Sequence, residues 1–235
     1  MSDKIEELEE KLKLKFNNKD LLLQALCHRS YLNENQDFHL GHNERLEFLG
    51  DAVLELVVTE YLYLNYPEKS EGELTTWRAS LVNTKVIGKA AKNIGLYDYI
   101  LLSKGESRET GKSRVCILAD TFEALVGAMY LDLGYDRSKI FIEEKLIKEL
   151  PRIIELGLYR DPKSVLQEET QKDVGITPEY RVISENGPDH KKHFKVGVFI
   201  EDKIIGEGGG YSKKTAEEKA AKIALLKKGW GKNNN

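Results

Sequence analysis

Apolar residues recur every three to four positions through the first two thirds of this chain, and every second position near its end. The first rhythm predicts helices and the second predicts strands. Ile5, Leu8, Leu12 and Phe16 predict a first helix, and residues 20–27 a short second one. Residues 42–65 are long and apolar on one side, and Pro67 bars their continuation. Ser70 and Glu73 have the spacing of a capping box that opens another helix. Asn83 can cap the next, which should stop at Gly95. Residues 115–133 form a second long apolar helix ended by Gly134, and residues 140–150 a last amphipathic one. No alternating stretch of useful length appears before residue 158.

The pattern changes near residues 157–162, where Gly157 and Pro162 suit a linker or a helix start. A helix is predicted over 163–174, and strict alternation follows. Tyr180 and Val182 mark a first strand. In the second, Phe194, Val196, Val198 and Ile200 face one way and His193, Lys195, Gly197 and Phe199 the other. Residues 201–203 are a tight turn, and Ile204 and Ile205 start a third strand. Glycine-rich residues 206–210 read as the turn before a terminal helix with Ala216, Ala220, Ile223 and Ala224 on one face. The fold class is therefore an all-α domain, residues 1–157, followed by a small α-β-β-β-α domain, residues 161–230.

Composition narrows this only by exclusion. With 40% hydrophobic and 32% charged residues in 235, the chain can bury a core and is not expected to be disordered. No apolar run of about 18 residues exists, so no membrane span is expected. The acidic first ten residues lack the apolar core of a secretory signal. Cys27 and Cys116 are too few for a disulfide framework or a thiolate metal site, and their apolar surroundings predict buried thiols. A reducing, cytoplasmic location is the expectation. The net charge of −3 argues mildly against a nucleic-acid partner.

The sharpest anomaly is acidic. Residues 43–51 read Asn-Glu-Arg-Leu-Glu-Phe-Leu-Gly-Asp, which puts Glu44, Glu47 and Asp51 at i, i+3 and i+7 on one helix face. Asp120 and Glu123 repeat the i, i+3 spacing on the other long helix. None of the five has a Lys or Arg at i±3 or i±4, the usual surface arrangement. The ordinary alternative is two solvated helix faces. If the faces are instead half-dry, the carboxylates must take up protons, meet a distant cationic side chain, or bind a hard cation. An oxygen-only set suits Mg²⁺ or Mn²⁺ rather than zinc. Gly50 and Gly127, each inside one of these helices, suggest that the two approach closely.

These residues carry a resemblance. Residues 42–53, His-Asn-Glu-Arg-Leu-Glu-Phe-Leu-Gly-Asp-Ala-Val, resemble the signature of the ribonuclease III family, and residues 119–125 resemble its second acidic motif. Residues 26–31, 71–74 and 78–82 also match. The resemblance implies that Glu47, Asp120 and Glu123 hold Mg²⁺, with Mn²⁺ able to substitute. It implies that Asp51 joins the cluster and helps organise metal and attacking water. Asp51, Glu123 and Glu44 would be the catalytic set, with Glu44 at the rim. It further implies a homodimer that hydrolyses duplex RNA in each strand, leaves 5′-phosphate and 3′-hydroxyl ends, and processes rRNA and mRNA precursors. Phe48 resembles the aromatic that members insert into the partner subunit, whereas its position alone reads as an ordinary core aromatic.

The tail resembles a double-stranded-RNA-binding domain in residues 164–168, 187–194 and 208–216. The resemblance implies that Ser164, Gln167, Glu168 and Gln171 touch one minor groove, His190 the next, and Lys213 and Lys214 the phosphates between them. A helix N-terminus already favours phosphate, and two ammonium groups add to it. Glu217 and Glu218 follow, where a further basic residue is common. Two rival readings are a non-catalytic duplex-RNA binder with a relic nuclease fold and a metal phosphohydrolase for another substrate; the intact acidic set and the tail argue against them. Residues 105–113 look like a phosphate loop, but five residues rather than four separate the glycines. His28, His39 and His42 have no metal-ligand spacing.

The resemblance also revises the charge. Residues 160–235 hold 15 Lys+Arg against 12 Asp+Glu, net +3, and residues 1–159 the remaining 21 against 27, net −6. The whole-chain value averages a weakly basic reader with an acidic catalytic module.

Overall fold

In the computed structural model, residues 2–108, 110–188 and 191–230 are described. The chain divides into two units, Met1–Pro151 and Arg152–Asn235.

The first unit is built from α1 (Ser2–Leu12), α2 (Lys19–Ala25), α3 (Arg29–Glu34), α4 (Glu44–Asn65), α5 (Glu71–Leu81), α6 (Thr84–Asn93) and α7 (Lys112–Lys145). The short α8 (Leu150–Glu155) crosses the junction between the units. Ser70 accepts from the Glu73 N–H while the Glu73 carboxylate reaches back to the Ser70 N–H, so α5 opens with the expected capping box. Asn83 caps α6, and Gly95 beyond its end is left-handed at φ +69°. Leu54, Val57, Val58 and Leu62 of α4 and Phe122, Leu125, Val126 and Met129 of α7 are buried at the centre of this unit.

Three expectations are corrected in this unit, and one helix, α3, was not expected. Phe16 is not part of the first helix. Lys13 turns left-handed at φ +57°, and Phe16 is buried beyond that turn with its N–H donating to Glu9 at 2.7 Å. Helix α3 carries no buried residue, so no apolar rhythm announces it; the His28 imidazole caps it instead. Helix α7 does break at Gly134 (φ +80°), but a second limb resumes at once and runs to Lys145, ahead of a 3₁₀ turn at Ile147–Glu149. Cys27 is buried as expected, whereas Cys116 is exposed.

The second unit is α9 (Pro162–Val174), β1 (Glu179–Asn186), β2 (His193–Ile200), β3 (Lys203–Gly210) and α10 (Lys213–Lys228), with an antiparallel sheet in the order β1-β2-β3. Leu166, Val198, Ala220, Ala221 and Ala224 form its core, so both helices cover one face of the sheet. Residues 206–210 are not a turn: they continue β3 to its end. A Cβ at Gly206, Gly208 or Gly210 would strike the backbone of α10 around Ala216, Ala220 and Ala224. Glycine on the strand and alanine on the helix let the two backbones meet. The glycines were legible as loop chemistry only because their role is tertiary.

Candidate functional site

The acidic faces meet because α4 and α7 touch backbone to backbone. A Cβ at Gly50 would fall on the Glu123 carbonyl, and one at Gly127 on the Leu46 carbonyl. Any other residue at either position would separate the helices and the side chains they carry. The start of α4 is anchored independently. Asn43 is buried, its N–H donates to the Cys27 carbonyl at 2.9 Å, and its side-chain amide donates to the Ala25 carbonyl at 3.3 Å.

This packing brings Glu47 of α4 together with Asp120 and Glu123 of α7. Each offers a carboxylate oxygen, and those oxygens all lie within 4.8 Å of one another. All three are half-buried, and no Lys, Arg or His among the described residues forms an ion pair with any of them. Burial, followed by the charges of Asp51, Asp120 and Glu47, pushes Glu123 up to about 8. Burial and then the neighbouring Asp120, Glu44 and Asp51 raise Glu47; burial raises Asp120 against a small opposing pull from His28. A cluster in this condition favours either shared protons or a bound cation. Three convergent oxygen donors, with no nitrogen or sulfur among them, fit a hard divalent ion.

The other acidic candidates lie around this core. Asp51 is exposed and outside the three-oxygen group, yet near enough to raise both Glu47 and Glu123. Glu44 is compensated: the Arg29 guanidinium lies 3.6 Å from it and the His42 imidazole 3.8 Å. The distant cation considered for the set thus reaches only its outermost member. Arg29 was missed as a site neighbour because no helical spacing connects it to Glu44, and His42, two residues before Glu44, was weighed only as a metal ligand. Phe48 is 82% exposed, which excludes the core-aromatic reading within one chain.

In the second unit, Ser164, Gln167, Glu168 and Gln171 are all exposed on one side of α9. Asp161 caps this helix through the Ser164 N–H, and Arg160 pairs with Glu168. Lys213 and Lys214 are exposed in the first turn of α10, where Ser212 is the cap. Lys213 also lies 3.8 Å from Glu185 and above the Phe194 ring. Glu217 turns away to pair with Lys163 on α9, so it does not oppose the lysine pair as its position suggested. His190 lies outside the described residues.

Comparisons with known proteins match both units. Residues 18–150 match the family described as ribonuclease-III-like, and residues 162–228 match the double-stranded RNA binding motif. Ribonuclease 3 of Desulforamulus reducens is 45% identical over 218 residues, 93% of this chain and 89% of its own. That of Natranaerobius thermophilus is 47% identical over 223 residues, 95% of this chain and 96% of its own. The nuclease domain of ribonuclease III from Campylobacter jejuni superposes with a TM-score of 0.55 at 42% identity, covering 62% of this chain and 95% of that one. The chain therefore belongs to the ribonuclease III family, with a ribonuclease-III-like domain followed by a double-stranded RNA binding motif.

Proposed function

We propose that this protein is a Mg²⁺-dependent endoribonuclease that cleaves double-stranded RNA and leaves 5′-phosphate and 3′-hydroxyl ends. One observation supports this most: three uncompensated carboxylates converge in a chain that also carries a duplex-RNA-binding motif. Glu47, Asp120 and Glu123 would hold the ion, which supplies charge neutralisation at the phosphate and acidity to water. Asp51, exposed at the edge of the cluster, is free to orient the attacking water by accepting its hydrogen bond. Glu44, flanked by Arg29 and His42, would meet substrate at the rim. On the second unit, α9 would present Ser164, Gln167, Glu168 and Gln171 to a minor groove, with His190 reaching the next. Lys213 and Lys214 would hold the intervening phosphates.

The same reading includes a homodimer acting in the cytoplasm on rRNA and mRNA precursors. Phe48, Leu56 and Tyr63 leave an exposed apolar stripe along α4. A cavity of about 690 Å³ near the end of α4 is lined by Leu62, Tyr63, Leu74 and Arg78. Phe48 lies about 20 Å away along the helix, so its ring cannot fill the cavity of its own chain. A two-fold partner can exchange the two, since each surface then meets the other's complement. A solved structure of the Campylobacter jejuni nuclease domain is described as flexible in a region involved in dimer formation.

The test is incubation of the protein and its Glu123→Gln variant with long duplex RNA, with and without Mg²⁺. The wild type should cut duplex but not single-stranded RNA, and chelation should stop it. Glu123→Gln should bind but cut slower by on the order of 10³. Phe48→Ala should sediment as a monomer. Undiminished cleavage by Glu123→Gln would sink the site; failure to bind duplex would sink the function.

A further inference from the structure

Strand β3 is an open edge of the sheet. It pairs with β2 on one side, and among the described residues no strand covers the other. Every second residue of such a strand turns its N–H and C=O outward, unpaired. Most edges are blunted by proline, lysine or a bulge. Here the only irregularity lies near the start of the strand, at Val198 and Phe199 of its partner. Over residues 206–210 Glu207 alone has a side chain, and that side chain is turned into an ion pair with Lys195. The backbone of this edge is bare.

A cavity of about 490 Å³ opens beside it, lined by Glu207, Gly208 and Gly209 of β3 and by Lys219, Lys222, Ile223 and Leu226 of α10, and it extends across the sheet to Lys195 and His193 of β2 and Ser184 and Asn186 of β1. Ile223 and Leu226 are exposed, Leu226 at 73%. Lys219 and Lys222 are exposed and form no ion pair with a described residue. An open strand edge beside a helix that supplies apolar and charged side chains is the geometry of peptide capture by strand addition.

We propose that this groove binds an extended, acidic segment of another protein, added as a fourth strand along β3. The two unpaired lysines set the charge of the occupant, and Ile223 and Leu226 receive its apolar side chains. A second copy of this chain fits poorly, because its own lysines would face these two. Duplex RNA fits poorly as well. Lys219 and Lys222 point about 120° and 180° away from Lys213 around α10, and a strand edge reads a polypeptide backbone.

The experiment uses the full chain and a labelled peptide of eight residues, the length of β3, alternating glutamate with valine. Its counterpart alternating lysine with valine is the control. The acidic peptide should bind, the lysine peptide should not, and hydrogen exchange of residues 203–210 should slow on binding. Lys219→Gln with Lys222→Gln should weaken binding by about tenfold or more, and Leu226→Asn should weaken it too. Cleavage of duplex RNA, the control for folding, should be unchanged in both variants. Four results would overturn the proposal: no binding of the acidic peptide, equal binding of the lysine peptide, protection away from β3, or displacement by duplex RNA. Concentration-dependent protection of β3 without peptide would overturn it in favour of a second copy.

Discussion

Two seams in this protein are built the same way and serve opposite ends. At the first, Gly50 and Gly127 let helices α4 and α7 meet. At the second, Gly206, Gly208 and Gly210 let α10 lie on β3. The difference is in the acids nearby. Beside the second seam, Glu217 is paired with Lys163 and Glu207 with Lys195. At the first, Glu47, Asp120 and Glu123 converge without a cationic partner among the described residues. Close packing alone therefore does not mark a site. Close packing that forces like charges together, with no ion pair to a described residue to relieve them, does. The paired acids are balanced within their own unit, whereas the converging ones are not paired with any described residue.

The largest effects are expected at the glycines of the two seams. Gly127→Val and Gly206→Val should each destabilise their own unit by about 3 kcal/mol, because backbone cannot yield as a flexible side chain would. Their functional effects should separate. Gly127→Val should abolish cleavage while duplex RNA is still bound, and Gly206→Val should weaken RNA binding while the acidic cluster still takes up Mn²⁺. Thermal melts with filter binding and calorimetry check both. If the two variants lose the same function, the seams are not distinct in purpose.

A smaller effect is expected at the lysines. Lys213→Ala with Lys214→Ala should weaken duplex binding about tenfold or more, and should lower the slope of log affinity against log salt by roughly two if both meet phosphates. An unchanged slope would remove them from the contact surface.

The smallest effect concerns pH without metal. Glu123 is pushed up to about 8 from an ordinary 4.5, so the folded state holds this proton more tightly than the unfolded chain. Its contribution to stability is complete below about pH 4.5 and is lost as pH rises through 8. The metal-free protein should lose a few degrees of Tm over that range relative to Glu123→Gln. No comparable dependence should come from Glu207 over this range, whose carboxyl the Lys195 ammonium holds below its ordinary value.

Much of this was legible in the sequence, and the reasons are local. Helix α4 is announced by its apolar face and ended before Pro67, and α5 by its capping box. The convergence of Glu47 with Asp120 and Glu123 was legible because both helices repeat the same acidic spacing and each carries an interior glycine. What escaped was set by distant contacts. Helix α3 buries nothing and so has no apolar rhythm. The glycines of β3 look like a turn until α10 is known to lie on them. Arg29 reaches Glu44 across 15 positions, a pairing that no periodicity encodes. The exposure of Phe48 was partly legible, since Glu44, Arg45 and Asp51 share its side of α4, but an aromatic on a long apolar helix reads first as core.

Whether the converging carboxylates hold a divalent cation is decided by calorimetric titration of Mn²⁺ at pH 7 in two buffers of different ionisation enthalpy. A group whose value is about 8 is mostly protonated there, so binding must release that proton. Ion binding should be accompanied by release of about one proton, and both should be lost in Glu123→Gln. Equal affinity in wild type and Glu123→Gln, or binding with no proton released, would contradict a cation site at these carboxylates.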